Sequence, residues 1–207
     1  MARLNPPDKT TILGLPPYAG IAPAQIAVPT TAAELDDAWD DLRAHRHIGF
    51  DTESKPTFVS GQATRPPDVA QFATPERAYV LQLRHSGCVD LLRSLLAAPE
   101  ITKVGFDLKQ DQALLGQHLG VVAAPLIDLD RVFHQQGYPR SVGIKTAVAI
   151  VFGQRFVKSK KITTTNWAAS RLDERQLQYA ANDAFVALQV HLALGRTGRP
   201  AADTGQR

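Results

Sequence analysis

Hydrophobic positions recur along the chain with two periods, one typical of strands and one typical of helices. Short apolar runs between turn-forming residues predict strands over 24–28, 47–51, 69–74, 78–83 and 103–105. Apolar residues three and four apart predict a helix capped by Thr30 or Thr31, and further helices over 90–98, 108–119, 128–136, 142–152 and 173–194. Because an antiparallel strand pair precedes an alternation of strands and helices, we expect an α/β fold with a mixed central β-sheet flanked by α-helices.

The two ends of the chain differ in composition from its middle. Six of the fourteen prolines lie between Pro6 and Pro29, so we expect an extended N-terminal arm over 1–23 that holds neither a helix nor a central strand. Residues 196–207 have almost no apolar content and predict a flexible C-terminal tail. One folded domain over 24–195 lies between them, in keeping with a length of 207 residues.

Composition and charge narrow the class of protein. The single cysteine, Cys88, excludes an intramolecular disulfide framework and fits a reducing compartment. No apolar stretch approaches the ~20 residues that span a bilayer, and the N-terminus lacks the apolar run of a signal peptide, so we expect a cytoplasmic protein without a membrane partner. A net charge of +3 is compatible with a polyanionic partner but too small to establish one. The oligomeric state stays open, and a homo-oligomer is one possibility.

Several common catalytic motifs are missing from the chain. It contains no GxGxxG, GxxxxGK[ST], HExxH or GxSxG pattern. The sequence therefore gives no support for four common enzyme classes, namely dehydrogenases, P-loop nucleotide hydrolases, zincin proteases and serine hydrolases. The candidate chemistry lies instead in acidic residues at the ends of predicted elements.

Two acidic residues end the strand predicted over 47–51. Asp51 and Glu53 are two positions apart, so on a strand their side chains share a face while Thr52 points to the other. Two carboxylates this close repel each other unless a cation lies between them, and a divalent metal with oxygen ligands is the natural solution. The alternative is a pair of exposed acids at the end of a strand.

A tyrosine and an acid occupy the inward face of the longest predicted helix, 173–194. Tyr179 and Asp183 are four residues apart and therefore share that face. An acid on an otherwise apolar face is costly unless it is paired or binds a metal. A core tyrosine next to an acid with a basic neighbour is an equal alternative.

A third acidic position lies near the start of the helix predicted over 108–119. Asp107 is expected to be a cap or a first-turn acid, and Asp111 lies one turn later on the same face. Nothing in the local sequence chooses between these two residues.

Read in order along the chain, these residues resemble a known group of nucleases. Three segments are similar to the exonuclease motifs of the DEDD superfamily, namely FDTE at 50–53, VG at 104–105 followed by Asp111, and YAAND at 179–183. Tyr179, four residues before the last acid, resembles the tyrosine that characterises the DEDDy branch. The DEDDh branch would have a histidine where Gln178 stands. The stretch over 158–167 is similar to the exonuclease domain of the Werner-syndrome helicase and its stand-alone relatives, and ribonuclease D is a more distant match.

The resemblance implies a ribonuclease H-like fold and a two-metal 3′-5′ exonuclease that acts on DNA or RNA and releases nucleoside 5′-monophosphates. In that family Asp51, Glu53 and Asp183 match the acids that hold the catalytic metal. Asp51 would also bridge to the second metal, with Asp111 supporting it through water, and Tyr179 matches the residue that positions the attacking water. An all-oxygen ligand set favours Mg²⁺ or Mn²⁺, with two divalent ions per site.

Basic residues cluster shortly before the third motif. Four of them predict phosphate contacts along the entering strand, although a solvated charged loop is an equal alternative: Arg155, Lys158, Lys160 and Lys161. Trp167 is a candidate for stacking on a base and, alternatively, for packing in the core.

Two other functions compete with the exonuclease interpretation. One is a non-catalytic nucleic-acid-binding module that kept the fold, and the presence of all four acids and the tyrosine argues against it. The other is a metal-dependent phosphodiesterase that acts on short oligonucleotides. The sequence does not choose between DNA and RNA.

Overall fold

The computed structural model describes residues 4–56, 64–138 and 141–196. The flexible tail predicted over 196–207 lies outside the described residues, except for Arg196, which ends the last helix. The division of the chain into an arm, one domain and a tail therefore stays a prediction.

A single mixed sheet of six strands organises the described chain. The strands are β1 (Ile26–Ala27), β2 (His47–Glu53), β3 (Val69–Ala73), β4 (Ala78–Gln82), β5 (Thr102–Gly105) and β6 (Leu126–Asp128). Their order across the sheet is β1-β4-β3-β2-β5-β6. The central strands β2, β3 and β4 are antiparallel, and the remaining neighbours pair in parallel. The mixed sheet and the α/β class are confirmed.

Helices cover both faces of this sheet. They are α1 (Lys9–Leu13), α2 (Ala32–Arg43), α3 (Ser86–Ala97), α4 (Lys109–Leu119), α5 (Leu129–Gln135), α6 (Ile144–Phe152), α7 (Lys160–Thr163) and α8 (Glu174–Arg196). Local signals in the sequence fix several helix ends. Thr31 caps α2 in a reciprocal box, because its hydroxyl accepts from the Glu34 backbone N–H while the Glu34 carboxylate accepts from the Thr31 N–H.

The longest helix, α8, lies very close to the central strand β2. Gly49 permits this approach, because a Cβ atom at that position would clash with the backbone carbonyl of Ala184. On the opposite face of the sheet the Phe50 and Phe72 rings stack with their centroids 5.1 Å apart, in a core that also contains buried residues of α2 and α3. The close packing of α8 on β2 places Asp183 beside the end of β2.

The N-terminal arm is more ordered than the prediction of an extended segment allowed. Asp8 caps the short helix α1 by accepting a hydrogen bond of 2.7 Å from the Thr11 N–H, so the expectation that the arm holds no helix was wrong. The prolines do not prevent this helix, because none lies within it. Further along, Pro17 forms a parallel bridge with Arg155, and Ile21 is buried at 2% exposure against α8 and the sheet.

Three other elements differ from the sequence prediction. The strand β6 and the helix α7 were not expected, because they hold three and four residues and give too little periodic pattern. The helix α3 begins at Ser86, four residues before the predicted start, since His85 at its N-cap makes no side-chain capping bond that would mark it. Within the described residues, no helix combines the length and the hydropathy needed to cross a membrane.

Candidate active site

Three carboxylates from two elements meet at the C-terminal end of β2. Asp51 and Glu53 extend from alternate positions of β2, and Asp183 comes from the face of α8 that packs on this strand. One oxygen of each carboxylate lies within 4.8 Å of an oxygen of both others. Glu53 is 9% exposed and Asp183 is 3% exposed. The structure therefore brings together three of the four predicted acids in a cluster in which Asp51 is half-buried and Asp183 is buried.

The surroundings of the three carboxyl groups disfavour their ionised forms and raise the pKa of each. Burial, followed by repulsion from Asp183, raises the pKa of Glu53 to about 8. Burial also raises the pKa of Asp183 to about 6, although Lys158 acts in the opposite direction. Burial and the charges of Asp183 and Asp111 raise the pKa of Asp51 well above its ordinary value. Three carboxylates in these surroundings favour any cation that can reach them.

One lysine supplies part of that positive charge. The Lys158 ammonium lies 2.6 Å from Oδ2 of Asp183 and 4.7 Å from the centre of the Tyr179 ring. Burial disfavours its charged form, but the nearby Asp183 and Asp51 carboxylates outweigh burial and raise the pKa of Lys158 above its ordinary value. Lys158 was predicted as a phosphate contact on a loop, and the structure places its ammonium inside the acidic site.

Tyr179 points into the same site from α8. Its hydroxyl lies 2.8 Å from the hydroxyl of Thr163, and either atom can donate. Burial raises the pKa of Tyr179, so the phenol is neutral at ordinary pH. The Trp167 ring packs near the Tyr179 ring, with centroids 6.0 Å apart, and its indole N–H donates to the Thr163 carbonyl.

Trp167 is therefore part of the core and cannot stack on a base. Its side chain is only 1% exposed, so neither ring face is open to a nucleotide. The nucleic-acid-binding role predicted for Trp167 is corrected by this burial, and the alternative of a packing residue is confirmed. Its packing against Tyr179 and its hydrogen bond to the backbone at Thr163 help to fix the tyrosine hydroxyl in place.

Asp111 lies beside the three clustered acids rather than among them. Its carboxylate accepts a short hydrogen bond from the hydroxyl of Thr52, the residue between Asp51 and Glu53. Burial raises the pKa of Asp111 in spite of this bond. Asp107 is exposed and has a φ of 53°, and it precedes α4 without capping it through its side chain. This arrangement favours Asp111 over Asp107 as the fourth acid.

The other predicted basic residues have different surroundings. The guanidinium of Arg155 donates to the Leu13 carbonyl of the arm over 3.2 Å, so it is partly committed to holding the fold together. Lys160 is exposed. Lys161 lines a cavity of about 660 Å³ that also reaches Tyr179 and Asn182. Phosphate contacts by these three residues stay predictions.

The residues of the site fit hard divalent cations. All the candidate ligands are carboxylate oxygens, which Mg²⁺ and Mn²⁺ prefer over softer ligands. The Oδ1 atom of Asp183 is buried and accepts no hydrogen bond within the part of the chain that the structure describes. A buried carboxylate oxygen without a partner is costly, and a bound cation would satisfy it.

Sequence reasoning missed the parts played by two hydroxyl residues. Thr52 was read only as the residue that faces away from the acids, and its contact with Asp111 depends on the packing of α4 against β2. Thr163 was not singled out, because a threonine in the run TTTN carries no signal of its own. Neither contact could be found from spacing, since both join segments that are far apart or irregular.

Comparisons with known proteins agree with this geometry. A family model described as 3′-5′ exonuclease matches residues 26–198. The human exonuclease mut-7 homolog is 28% identical over 83% of this chain and 23% of its own length. The Escherichia coli RNase D structure has a TM-score of 0.67 and 26% identity, covering 84% of this chain and 46% of that one. The EXO domain of Aedes aegypti Nibbler has a TM-score of 0.72 at 22% identity, covering 85% and 89%.

These likenesses confirm the ribonuclease H-like fold and the exonuclease resemblance expected from the three motifs. The family is generally dependent on divalent metal ions, in agreement with the acidic cluster. The chain spans about a quarter of the length of the human relative and less than half of E. coli RNase D.

Proposed function

Because the chain belongs to the 3′-5′ exonuclease family, we propose that it hydrolyses phosphodiester bonds of DNA or RNA from the 3′ end and releases nucleoside 5′-monophosphates. The observation that carries this proposal is the buried cluster of Asp51, Glu53 and Asp183 beside the Tyr179 hydroxyl. Such a cluster is unfavourable for stability alone, so a function in binding cations explains it better than a structural role does.

Two divalent ions, Mg²⁺ or Mn²⁺, are the proposed cofactors. Asp51, Glu53 and Asp183 would hold the first ion, and Asp51 with Asp111 would serve the second. When bound, such a pair of ions activates a water and neutralises charge on the leaving 3′ oxygen. The Asp183 oxygen that lacks a partner and the raised pKa values of the cluster support this assignment.

The remaining side chains bind and orient the reacting groups. The Tyr179 hydroxyl, held by Thr163, is placed to donate or accept one hydrogen bond from the attacking water and so to fix its direction. The Lys158 ammonium can turn from Asp183 to a non-bridging oxygen of the scissile phosphate, where its charge is useful as negative charge develops. Thr52 holds the carboxylate of Asp111 through its hydroxyl.

A 5′-labelled oligonucleotide tests the proposal directly. With Mg²⁺ or Mn²⁺ the label should appear on a ladder that shortens from the 3′ end, and a chelator should stop the reaction. Asp51→Asn and Asp183→Asn should abolish the ladder while the circular dichroism spectrum is unchanged. Asp90→Asn is the matched control, since Asp90 is an exposed acid on α3.

Other outcomes of this assay separate the competing functions. A pure protein that binds the strand but never cuts it would be a non-catalytic binding module. Cleavage confined to the shortest strands would indicate a phosphodiesterase of short oligonucleotides. Matched DNA and RNA strands with each metal would give the preferred substrate.

A further inference from the structure

A second cavity opens beside the catalytic cluster, on the other side of the segment that carries Lys158. Its volume is about 540 Å³, and its walls come from the N-terminal arm, from α6 and from residues 155–158. We call it the arm groove and define it by Lys9, Leu13, Lys145, Arg155, Val157 and Lys158. Lys158 belongs to both places, because its ammonium contacts Asp183 in the site. The arm groove and the site therefore share Lys158.

The charged residues that line the arm groove are all basic. Four of its lining residues are basic, and none of the described residues that line it is acidic. Three of the four are partly occupied, since the Lys158 ammonium contacts Asp183, the Lys145 ammonium donates to the Lys158 carbonyl over 3.0 Å and Arg155 donates to Leu13. Lys9 on α1 and Lys145 on α6 are exposed, whereas Arg155 and Lys158 are half-buried. A concavity lined by basic residues attracts polyanions.

Apolar side chains are exposed in the same groove. Among the described residues, three large hydrophobic side chains stand out as exposed, Leu13 at 55%, Val122 at 60% and Val157 at 68%. Leu13 and Val157 line the arm groove, and Val122 does not. Such a surface is compatible with single-stranded nucleic acid, because basic groups can contact its phosphates and apolar side chains can contact its unstacked bases.

The walls of the groove are held in place by the docked arm. The Arg155 N–H donates to the Pro16 carbonyl and the Tyr18 N–H donates to the Arg155 carbonyl, over 2.7 and 2.9 Å. The Tyr18 ring packs near Phe156, with centroids 6.4 Å apart. The arm is also joined to α8, because the Asn182 side chain accepts from the Ile21 N–H over 3.0 Å. A preformed groove binds a ligand without the entropic cost of ordering its walls.

We propose that the arm groove binds the part of a single-stranded nucleic acid that lies 5′ of the scissile bond. Phosphates contact Lys9 and the other basic residues, and a base packs on Leu13 and Val157. Lys9 and Leu13 of the arm precede residue 26, where the family match begins, so one wall of this subsite lies outside the matched domain. The inference rests on the proposed function only for the direction in which the strand enters.

Binding without cleavage tests the arm groove separately from catalysis. Fluorescent single strands of three and of ~10 nucleotides are titrated in EDTA at several salt concentrations, and the longer strand is expected to extend past the site along the groove. Lys9→Ala should weaken binding of the longer strand ~3- to 10-fold and make its salt dependence less steep by ~0.7. Val157→Ser should weaken the longer strand by a similar factor without changing its salt slope. Binding and turnover of the trinucleotide should stay at the wild-type level in Lys9→Ala.

Two variants serve as matched controls. Val122→Ser removes an equally exposed apolar side chain that lies away from the groove, and Arg93→Ala removes an exposed charge on α3. Both should bind the longer strand as the wild type does. A polyphosphate of equal charge should bind more weakly than the longer strand, because it offers no base to Leu13 and Val157.

Several results would overturn the inference. Equal affinity of the wild type for both strand lengths would show that nothing binds beyond the site. Equal weakening of both strands by Lys9→Ala and Val157→Ser would show that these residues act on the site as a whole. Length-dependent binding together with a complete lack of cleavage by the wild type would instead reject the proposed exonuclease activity and leave the groove as a nucleic-acid-binding surface.

Discussion

The metal-free protein should lose stability as the pH rises from 6.5 to 8, because Glu53 keeps its proton in the folded state. Glu53 has an ordinary pKa of 4.5, and its folded-state pKa is about 8. Between these values unfolding releases a proton, so the free energy of unfolding falls with rising pH. Protonation of the buried His191 does not counteract this loss of stability above pH 6.5. Its pKa is lowered to about 4 in the folded state, so it reduces the free energy of unfolding only when the pH falls below 6.5.

The size of the loss follows from the part of the Glu53 shift that lies in this window. The 1.5 pH units between 6.5 and 8 correspond to ~2 kcal/mol at ~1.4 kcal/mol per unit. Asp51 acts in the same direction, because its pKa is also raised. Lys158 contributes no change here, since its raised pKa affects stability only as the pH rises above its ordinary value. We therefore expect a loss of about 2 kcal/mol or somewhat more.

Urea denaturation in EDTA at intervals from pH 6.5 to 8 measures this loss. Glu53→Gln should make the curve less steep, because the amide has no proton to release, and the exposed Glu76→Gln is the matched control that should leave the curve unchanged. Saturating Mn²⁺ should also flatten the wild-type curve, because the carboxylates are then ionised and bound. A wild-type stability that stays constant or rises over this range would refute the electrostatic account of the cluster, and so would an undiminished slope in Glu53→Gln.

Three substitutions test other parts of the site and the fold. Tyr179→Phe should slow turnover by ~10- to 1,000-fold in a single-turnover assay while the circular dichroism spectrum is unchanged, because the hydroxyl that orients water is lost together with its hydrogen bond to Thr163. Asp111→Asn should reduce turnover at low Mn²⁺ concentrations, whereas Asp107→Asn should retain it, because only Asp111 contacts β2 through Thr52. Gly49→Ala should destabilise the protein by ~1–3 kcal/mol in urea denaturation, because its methyl group meets the Ala184 carbonyl. Gly116→Ala in α4 is the matched control, and its methyl group, 3.8 Å from Val122, should be neutral or stabilising.

Elements with strong local signals were predictable from the sequence. Helix α2 follows from the Thr31 cap and its apolar face, and the β3–β4 pair follows from two apolar runs joined by a short turn. Helix α1 was not predictable, because the prolines around it suggested an extended arm while the single cap at Asp8 carried little weight. The predicted boundary of a helix was wrong where no side-chain cap marks its end, as at the start of α3.

The acids of the site were predictable because they are fixed by regular elements. Asp51 and Glu53 share a face through the period of the strand, and Tyr179 and Asp183 share one through the period of the helix. Trp167 was harder to place, because it follows a run of polar threonines and its burial is decided by Tyr179 and the loop around Thr163. A residue on an irregular segment has no period from which its direction can be read.

Lys158 shows why one basic residue among several turns inward. Lys158, Lys160 and Lys161 are equivalent in the sequence, and only Lys158 contacts the carboxylates in the structure. The backbone pairing of Arg155 with the arm holds the chain three residues before Lys158. A cluster of buried acids is unfavourable without a cation, so the fold gains most when the lysine nearest that anchor supplies its charge. The arm therefore shapes the site through this lysine as well as through the groove that it forms.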